Sequence, residues 1–392
     1  MKNISIIIPT YNFSDTTEKA ISAAINQTIR PSELIIIDSS EDNSISDLAT
    51  SFNDDVSIIY LKVKRLFPGE ARNKGIALAK GEWIAFLDSK TVPVQDWLEC
   101  NFKNLEKYKA DVIFGRTQYL ADSAFQKSLR ACAYGLQAIE TTPGSLIKKS
   151  DLLKIEGFQE GVRSGEDVRW RNAIKTSDLL VCPDVIPEKI TLTYNELPNR
   201  LLPTLKRFFV YQLHGAMVNI QNTTKNIMLS FFFVFLTILI PKWNAIVGSQ
   251  VSLLYVPNIT KIYISFLAVS VALIFLLKRD LIIRYTNSIL SFSAGILVIG
   301  VCFFIAFYWN EVIAGWVEDS VWYIPHVTKI YVCTCLAGSI IYRGIYFPLK
   351  NGFNYSELFP FWWIKVGFLG LLLDLVKAPG YILGAIFKLF SK

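Results

Sequence analysis

The sequence predicts an α/β domain with a mostly parallel sheet, followed by an all-α membrane domain. Three observations predict it. Short β-branched runs alternate with helical stretches of roughly ten to fifteen residues through the first half. Charged and apolar residues are mixed up to about residue 200, as in a globular domain. Residues 226–390 then hold four long stretches nearly free of charge. A chain of 392 residues has room for about two such domains.

Each element follows from its residues. Ile4 to Ile8 reads as a buried parallel strand that runs into Pro9-Thr10-Tyr11-Asn12. Ser14 to Gln27 reads as a helix, with Ala20, Ala23 and Ala24 at close-packing positions. Leu34 to Asp38 is a second buried strand and Val56 to Leu61 a third. Pro68-Gly69-Glu70 opens a helix to Lys80, with Gly81 as its stop. Trp83 to Leu87 is a strand ending at Asp88, Pro93 to Tyr108 a helix, and Val112 to Gly115 a further strand. Ligands on such sheets lie outside the carboxyl ends of the strands. Asn12, Asp38 and Asp88 all stand there, so one crevice gathers all three.

Four regions result: a catalytic α/β domain over 1–198, an amphipathic helix within 199–225, about four spans over 226–350, and interfacial helices over 351–392. Arg200 to Gln221 mixes Arg200, Lys206 and Arg207 with Leu201, Leu202, Leu205, Phe208, Phe209 and Tyr211, which suits the membrane interface. The alternative is an ordinary helix covering the domain. The spans fall at 226–246, 259–277, 286–309 and 327–349. The second has 19 residues, about 28 Å of helix against a hydrocarbon core of roughly 30 Å. The loop after it is basic (Lys278, Arg279, Arg284), and the loop after the third span is acidic (Glu311, Glu318, Asp319). The positive-inside rule then places the catalytic domain in the cytoplasm, against a bacterial inner membrane. The tail from Phe359 to Phe390, interrupted by Lys365, Asp374, Lys377 and Pro379-Gly380, reads as one or two interfacial helices.

The net charge of +7 comes from scattered basic residues flanking apolar stretches, which argues against nucleic acid as a partner. Six cysteines show no metal or redox spacing, and a strand pattern beginning near residue 3 predicts no cleavable signal peptide. His214 and His326, the only histidines, read as structural.

Four places could carry chemistry. Asp38, just past a buried strand, could accept from a uracil imide or a ribose hydroxyl; the alternative is a turn residue. Arg72 and Lys74 sit in the first turns of a helix, where a nucleotide diphosphate gains from both helix terminus and charge, although Lys74 suits solvent. In Asp88-Ser89-Lys90, a second carboxylate would complete a divalent-cation site. Lys90 stands in its place, and an ammonium can neutralise phosphate directly. Glu166-Asp167, following Ser164-Gly165, puts two carboxylates at a helix start. Adjacent helical side chains point about 100° apart, so one can face the substrate. Asp167 is the expected base, with Glu166 binding donor hydroxyls or holding structure. The alternative is that both complement the helix dipole.

These segments resemble the family-two glycosyltransferases of GT-A, Rossmann-like fold. The matching pieces are Ser5 to Asn12, Glu33 to Ser39, Gly69 to Gly75, Gly81 to Asp88, Gly157-Phe158 and Glu166-Asp167. The resemblance covers residues 1 to about 195. It implies a nucleotide-diphospho-sugar donor, an inverting mechanism and Asp167 as base. It also implies Pro9, Thr10, Tyr11, Asn12 and Asp38 around the nucleoside, and Asp88 near the ribose and phosphates. Two departures bear on Mg²⁺ or Mn²⁺. Lys90 replaces an acidic residue, and Thr193-Tyr194-Asn195 offers no histidine to complete a metal site, leaving Asp88 as a doubtful ligand. Weak or absent metal dependence is expected.

The C-terminal half is similar, more loosely, to membrane domains of family-two enzymes that act on lipid-linked acceptors. The expected activity is transfer of a sugar to a lipid or lipid-linked glycan in cell-envelope polysaccharide synthesis. Two alternatives stand beside it: transfer to polyprenyl phosphate itself, and a catalytically degenerate domain that binds nucleotide or scaffolds an export complex.

Overall fold

The structure is a computed structural model that describes residues 2–52, 56–183, 191–218, 246–247, 254–255 and 336–390. Residues 1–220 and 340–392 form one compact unit and 221–339 a second. The account below concerns the first. The spans expected at 226–246 (Ile246 apart), 259–277 and 286–309 lie outside the described residues, as do His326 and the first part of the fourth, 327–335; its remainder, 336–349, is described and helical.

The first unit is built on one sheet of eight strands in the order β3-β2-β1-β4-β7-β6-β8-β5. The strands are β1 (Ile4–Thr10), β2 (Glu33–Asp38), β3 (Ser57–Lys62), β4 (Trp83–Phe86), β5 (Thr91–Pro93), β6 (Val112–Tyr119), β7 (Ile139–Lys148) and β8 (Leu192–Tyr194). The helices are α1 (Asp15–Ile25), α2 (Ser44–Ser51), α3 (Pro68–Leu78), α4 (Trp97–Tyr108), α5 (Ala124–Ala133), α6 (Lys149–Leu152), α7 (Glu166–Lys175) and α8 (Leu201–Met217).

Isoleucine runs make the central strands because both sheet faces are covered. Successive side chains alternate between faces. Ile4, Ile6, Ile8, Leu34 and Ile36 pack under α1 and α4, with Ile21, Leu98 and Phe102. Ile7, Ile35, Ile37, Ile84 and Phe86 pack under α3 and α7, with Ala71, Trp170 and Ile174. Ser14 begins α1 as expected: its side chain accepts from the Thr17 amide.

The sheet is mixed, with parallel pairings from β3 to β4 and between β6 and β8. β1 to β4 are mutually parallel, but β7 enters antiparallel to both β4 and β6, and β5 runs antiparallel to β8. Past β4 both directions occur: β8 pairs parallel with β6 and antiparallel with β5. Pro93, expected to open a helix, instead ends β5, and the helix starts at Trp97.

The C-terminal tail belongs to this same unit. A π-helical turn (Tyr342–Tyr346) leads into α9 (Phe347–Lys350), α10 (Tyr355–Leu358) and α11 (Trp362–Phe390). The tail, read as one or two interfacial helices, holds one continuous long helix carrying Pro379. Val366, Leu369 and Leu373 share a core with Leu129 and Cys132 of α5. Trp362 donates to Ser128 Oγ at 3.1 Å, and Arg343 binds both Asp374 oxygens at 2.8 and 2.7 Å. Gly380 and Gly384 let α11 approach α8 so closely that an added Cβ would meet the carbonyls of Phe209 and Leu213 at 2.7 and 2.0 Å. Asp374 and Lys377, which interrupt the apolar pattern, are therefore partners inside the protein: Lys377 lies 3.4 Å from Asp374. Among the described residues no helix is long and apolar enough to cross a membrane.

Candidate active site

The order β2-β1-β4 places three strand ends side by side. Thr10 pairs in register with Asp38, and the Leu87 amide donates to the Ile7 carbonyl at 3.0 Å, so Asp38 and Asp88 flank the end of β1. Asn12 takes a left-handed conformation, φ 59°, which asparagine tolerates. Its amide donates to Ser40 Oγ at 2.8 Å. Tyr11 is exposed, with the Arg65 guanidinium 5.5 Å from its ring centre. Pro9 pairs with Ile37 inside β1.

Asp38 is more than a strand-end carboxylate waiting for a ligand. It is fully buried. One oxygen accepts from Thr10 Oγ1 (3.0 Å), the Ser40 amide (2.9 Å) and Ser40 Oγ (2.5 Å); the other accepts from Tyr60 (2.8 Å) and Lys62 (3.3 Å). Burial works against its charge, but the Ser40 side chain and amide, Tyr60 and Thr10 together bring the carboxyl below its usual range. Burial and then Asp38 push the Tyr60 hydroxyl up to about 12. With both oxygens engaged, Asp38 orders the ends of β1 and β2, and a ligand contact there requires one donor to yield.

Arg72 is the centre of the crevice. It is 2% exposed. Its NH2 donates to Asp88 Oδ1 at 2.7 Å and its NH1 to Glu166 Oε1 at 3.1 Å, and it lies 5.2 Å from the Phe158 ring centre. The Arg72 Nε and Glu166 Oε2 atoms are buried without a protein partner. Burial disfavours the Arg72 charge, but Asp88 and then Glu166 hold it cationic. Burial lifts the Glu166 carboxyl above its usual range, Arg72 opposes this, and Asp167 adds to it.

Two glycines make the junction possible. Gly165 caps α7 with φ 93°, a left-handed conformation that suits glycine. Gly69 lies so close that an added Cβ would sit 2.7 Å from the Gln159 carbonyl and 3.0 Å from Glu166 Cγ. From this start the two carboxylates diverge. Glu166 turns inward to Arg72. Asp167, whose side chain is 30% exposed, accepts from Arg171 at 3.1 Å through Oδ2; its Oδ1 accepts from no described residue. Arg171 is held in turn by Thr142 (3.1 Å) and Glu140 (3.3 Å). The Arg169-Trp170 pair is structural: Trp170 is core, and Arg169 binds Glu156.

Lys90 does not point freely to solvent. Its ammonium pairs with Glu196, which also accepts from Ser14 Oγ at 2.7 Å. Burial works against the Glu196 charge, but Lys90 and Ser14 bring its carboxyl below its usual range. These residues do not fit a divalent cation. Asp88 already carries Arg72, Glu196 carries Lys90, and no group of three or more His, Cys, Asp or Glu able to hold a metal occurs among the described residues.

The sequence reading missed Tyr60, Lys62, Glu196, Arg171 and Glu140. Lys62 was the most accessible of these, since parallel register sets it beside Asp38. Glu196 lies 106 positions from Lys90, beyond any local signal.

Residues 5–160 match the family described as Glycosyl transferase family 2. An uncharacterised glycosyltransferase of Rickettsia conorii is 34% identical over 174 residues, covering 42% of this chain and 28% of that protein. Glycosyltransferase AglE of Haloferax volcanii is 25% identical over 180 residues, covering 43% of this chain and 59% of that one. The chain spans less than a third of the length of its Rickettsia relatives. Residues 1–349 of S. aureus TarS in complex with UDP-GlcNAc superpose with a TM-score of 0.39 at 16% identity, over 64% of this chain and 76% of that one, a likeness too slight to carry an argument. The family match and these relatives point the same way: residues 5–160 resemble a glycosyltransferase domain of family 2.

Proposed function

We propose that the chain is an inverting glycosyltransferase. It moves a sugar from a nucleotide-diphospho-sugar to a hydroxyl of a lipid or lipid-linked glycan at the cytoplasmic face of a bacterial inner membrane. The observation that carries the reading is the Asp88–Arg72–Glu166 bridge, which joins the β4 tip to the helix start bearing Asp167. Asp167 takes the acceptor hydroxyl proton, and that oxygen bonds to the anomeric carbon from the face opposite the diphosphate. The bond from this carbon to the diphosphate oxygen breaks, and the nucleoside diphosphate leaves with the bonding pair. A base needs about 2.6–3.2 Å from the proton's oxygen. Asp167 Oδ1, with no described partner, suits that role.

The membrane setting rests on the apolar character of 226–350 and on exposed side chains of the described unit, among them Leu202, Tyr355 and Phe361. The test is a panel of labelled nucleotide sugars incubated with membranes containing the chain. Label from one donor is expected in the lipid fraction; a panel that labels nothing defeats the reading.

Metal dependence follows from Lys90. Transfer is expected to keep nearly its full rate in a chelator, and complete loss would overturn this. Lys90→Asp removes the ammonium and adds a carboxylate beside Asp88. Donor binding in this variant is expected to fall about tenfold or more without metal and to recover in part with Mn²⁺, read by calorimetric titration with the nucleotide.

A second reading, transfer to polyprenyl phosphate, is favoured by the unpaired cation described next.

A further inference from the structure

Arg207 of α8 lies among tyrosines and has no acidic partner among the described residues. Its Nε donates to the Tyr211 hydroxyl at 2.8 Å and its NH2 to the Tyr194 hydroxyl at 2.9 Å. Its guanidinium carbon is 5.2 Å from the Tyr211 ring centre and 5.6 Å from that of Tyr194. Behind Tyr194, Tyr119 stacks on Tyr134 at 4.3 Å. The buried arginines described in this unit all have carboxylates, whereas Arg207 is half-buried: Arg72 has Asp88 and Glu166, Arg171 has Asp167 and Glu140, Arg343 has Asp374. Among the described residues Arg207 has none. Burial raises the hydroxyls of Tyr119, Tyr134 and Tyr194, so these rings stay neutral and cannot cancel its charge. A partly desolvated cation without a counter-charge is costly unless an anion completes it.

Its position says which anion. A run of contacts crosses the site: Lys90 to Glu196, the Glu196 carbonyl to the Tyr194 hydroxyl (3.2 Å), Tyr194 to Arg207, Arg207 to Tyr211, and the Tyr211 carbonyl to Ser164 Oγ (2.9 Å). Ser164 is two residues before Glu166. Arg207 therefore stands between the Lys90 side, where the donor diphosphate belongs, and the acidic helix start, where the acceptor arrives. Its NH1 has no described partner, and the Tyr211 hydroxyl, exposed, keeps a proton to donate. A planar guanidinium fork beside a hydroxyl donor fits tetrahedral phosphate oxygens.

We propose that Arg207, held by Tyr194 and Tyr211, binds a phosphate group of a substrate, either the donor's diphosphate or a phosphate carried by the lipid acceptor. The site deepens the glycosyltransferase reading, but it is tested without turnover. The full chain in detergent is titrated with UDP, with farnesyl phosphate and with farnesol, for the wild type, Arg207→Gln and Arg207→Lys. Arg207→Gln is expected to weaken at least one phosphate ligand roughly tenfold to hundredfold. Arg207→Lys, which keeps the charge and loses the fork, is expected to weaken the same ligand by a smaller factor. Farnesol binding is expected to stay unchanged. Loss confined to UDP assigns the site to the donor, and loss confined to farnesyl phosphate assigns it to the acceptor. Unchanged affinity for both phosphates overturns the proposal, as does an equal loss for farnesol, which would mean lost packing and not a lost anion contact. If Arg207→Gln does not fold, Arg207→Lys and Tyr211→Phe decide by the same comparison. A chain that binds phosphate through Arg207 yet transfers no sugar would defeat the activity and leave this site standing.

Discussion

Asp167→Asn is expected to lower the transfer rate roughly 10²–10⁴-fold while donor affinity changes little. The amide has nearly the shape of the carboxylate, so Arg171 keeps a partner at the position now 3.1 Å from Oδ2. What is lost is the ability to take a proton. The expected signature is a fall in kcat with KM for the donor nearly constant, because a base acts in the transition state and not in nucleotide binding. Glu166→Gln makes the contrast. Glu166 faces Arg72 and is buried, so its loss is expected to disturb the crevice but not to remove a base. If Glu166→Gln abolishes transfer while Asp167→Asn spares it, the two roles are reversed. If neither matters, the nucleophile is already an anion, as a phosphate acceptor would be, and no base is needed. Single-turnover kinetics on the two variants therefore also separates the hydroxyl and phosphate acceptors.

Much of this site was legible because strand-end residues are fixed by local pattern. An isoleucine run ending at Thr10 and another ending at Asp38 can only be neighbouring central strands once both are buried, and parallel register then brings Thr10 to Asp38. The acidic pair at Glu166 was legible as a helix start because Gly165 precedes it. What the sequence could not show is how groups with no local relation pair. The two carboxylates differ because Arg72, 94 positions earlier, reaches only one of them. The partner of Lys90 was hidden because Glu196 belongs to a segment whose strand, β8, is three residues long and carries no strong pattern. The tail misled for a related reason. Its charges looked like interruptions of an interfacial helix, when Asp374 and Lys377 are completed by Arg343, a residue that falls within the expected fourth span. Hydropathy registers that a charge is present; it does not register a partner 31 positions away.

Arg72→Met is expected to cost both fold and function, because Arg72 is the group on which the crevice's charges depend. Methionine fills a similar apolar volume and keeps contact with Phe158, so packing is not the main loss. Electrostatics is. Removing one partner of a buried pair leaves the other charged and uncompensated, typically at about 3–5 kcal/mol; here that partner is Glu166, 4% exposed. For a domain of this size such a loss lowers the thermal midpoint by roughly 10 °C. The pH dependence identifies the cause. Burial already raises the Glu166 carboxyl, and without Arg72 the largest opposition to that rise is gone. A carboxyl whose folded-state pKa lies above its unfolded value binds more protons folded than unfolded, so stability falls as pH rises through that window. The deficit of Arg72→Met against wild type should therefore be small in mild acid, where Glu166 is protonated, and largest at alkaline pH. Tryptophan-monitored melts of the full chain across that range measure it. Adding Glu166→Leu should return most of the lost midpoint and remove its pH dependence, because an apolar pair of like volume replaces the ionic one. It should not return activity, since Asp88 would still lack the guanidinium that ties it to the start of α7. A deficit that is the same at every pH, or a double variant no more stable than the single, would mean that Arg72 serves by packing alone.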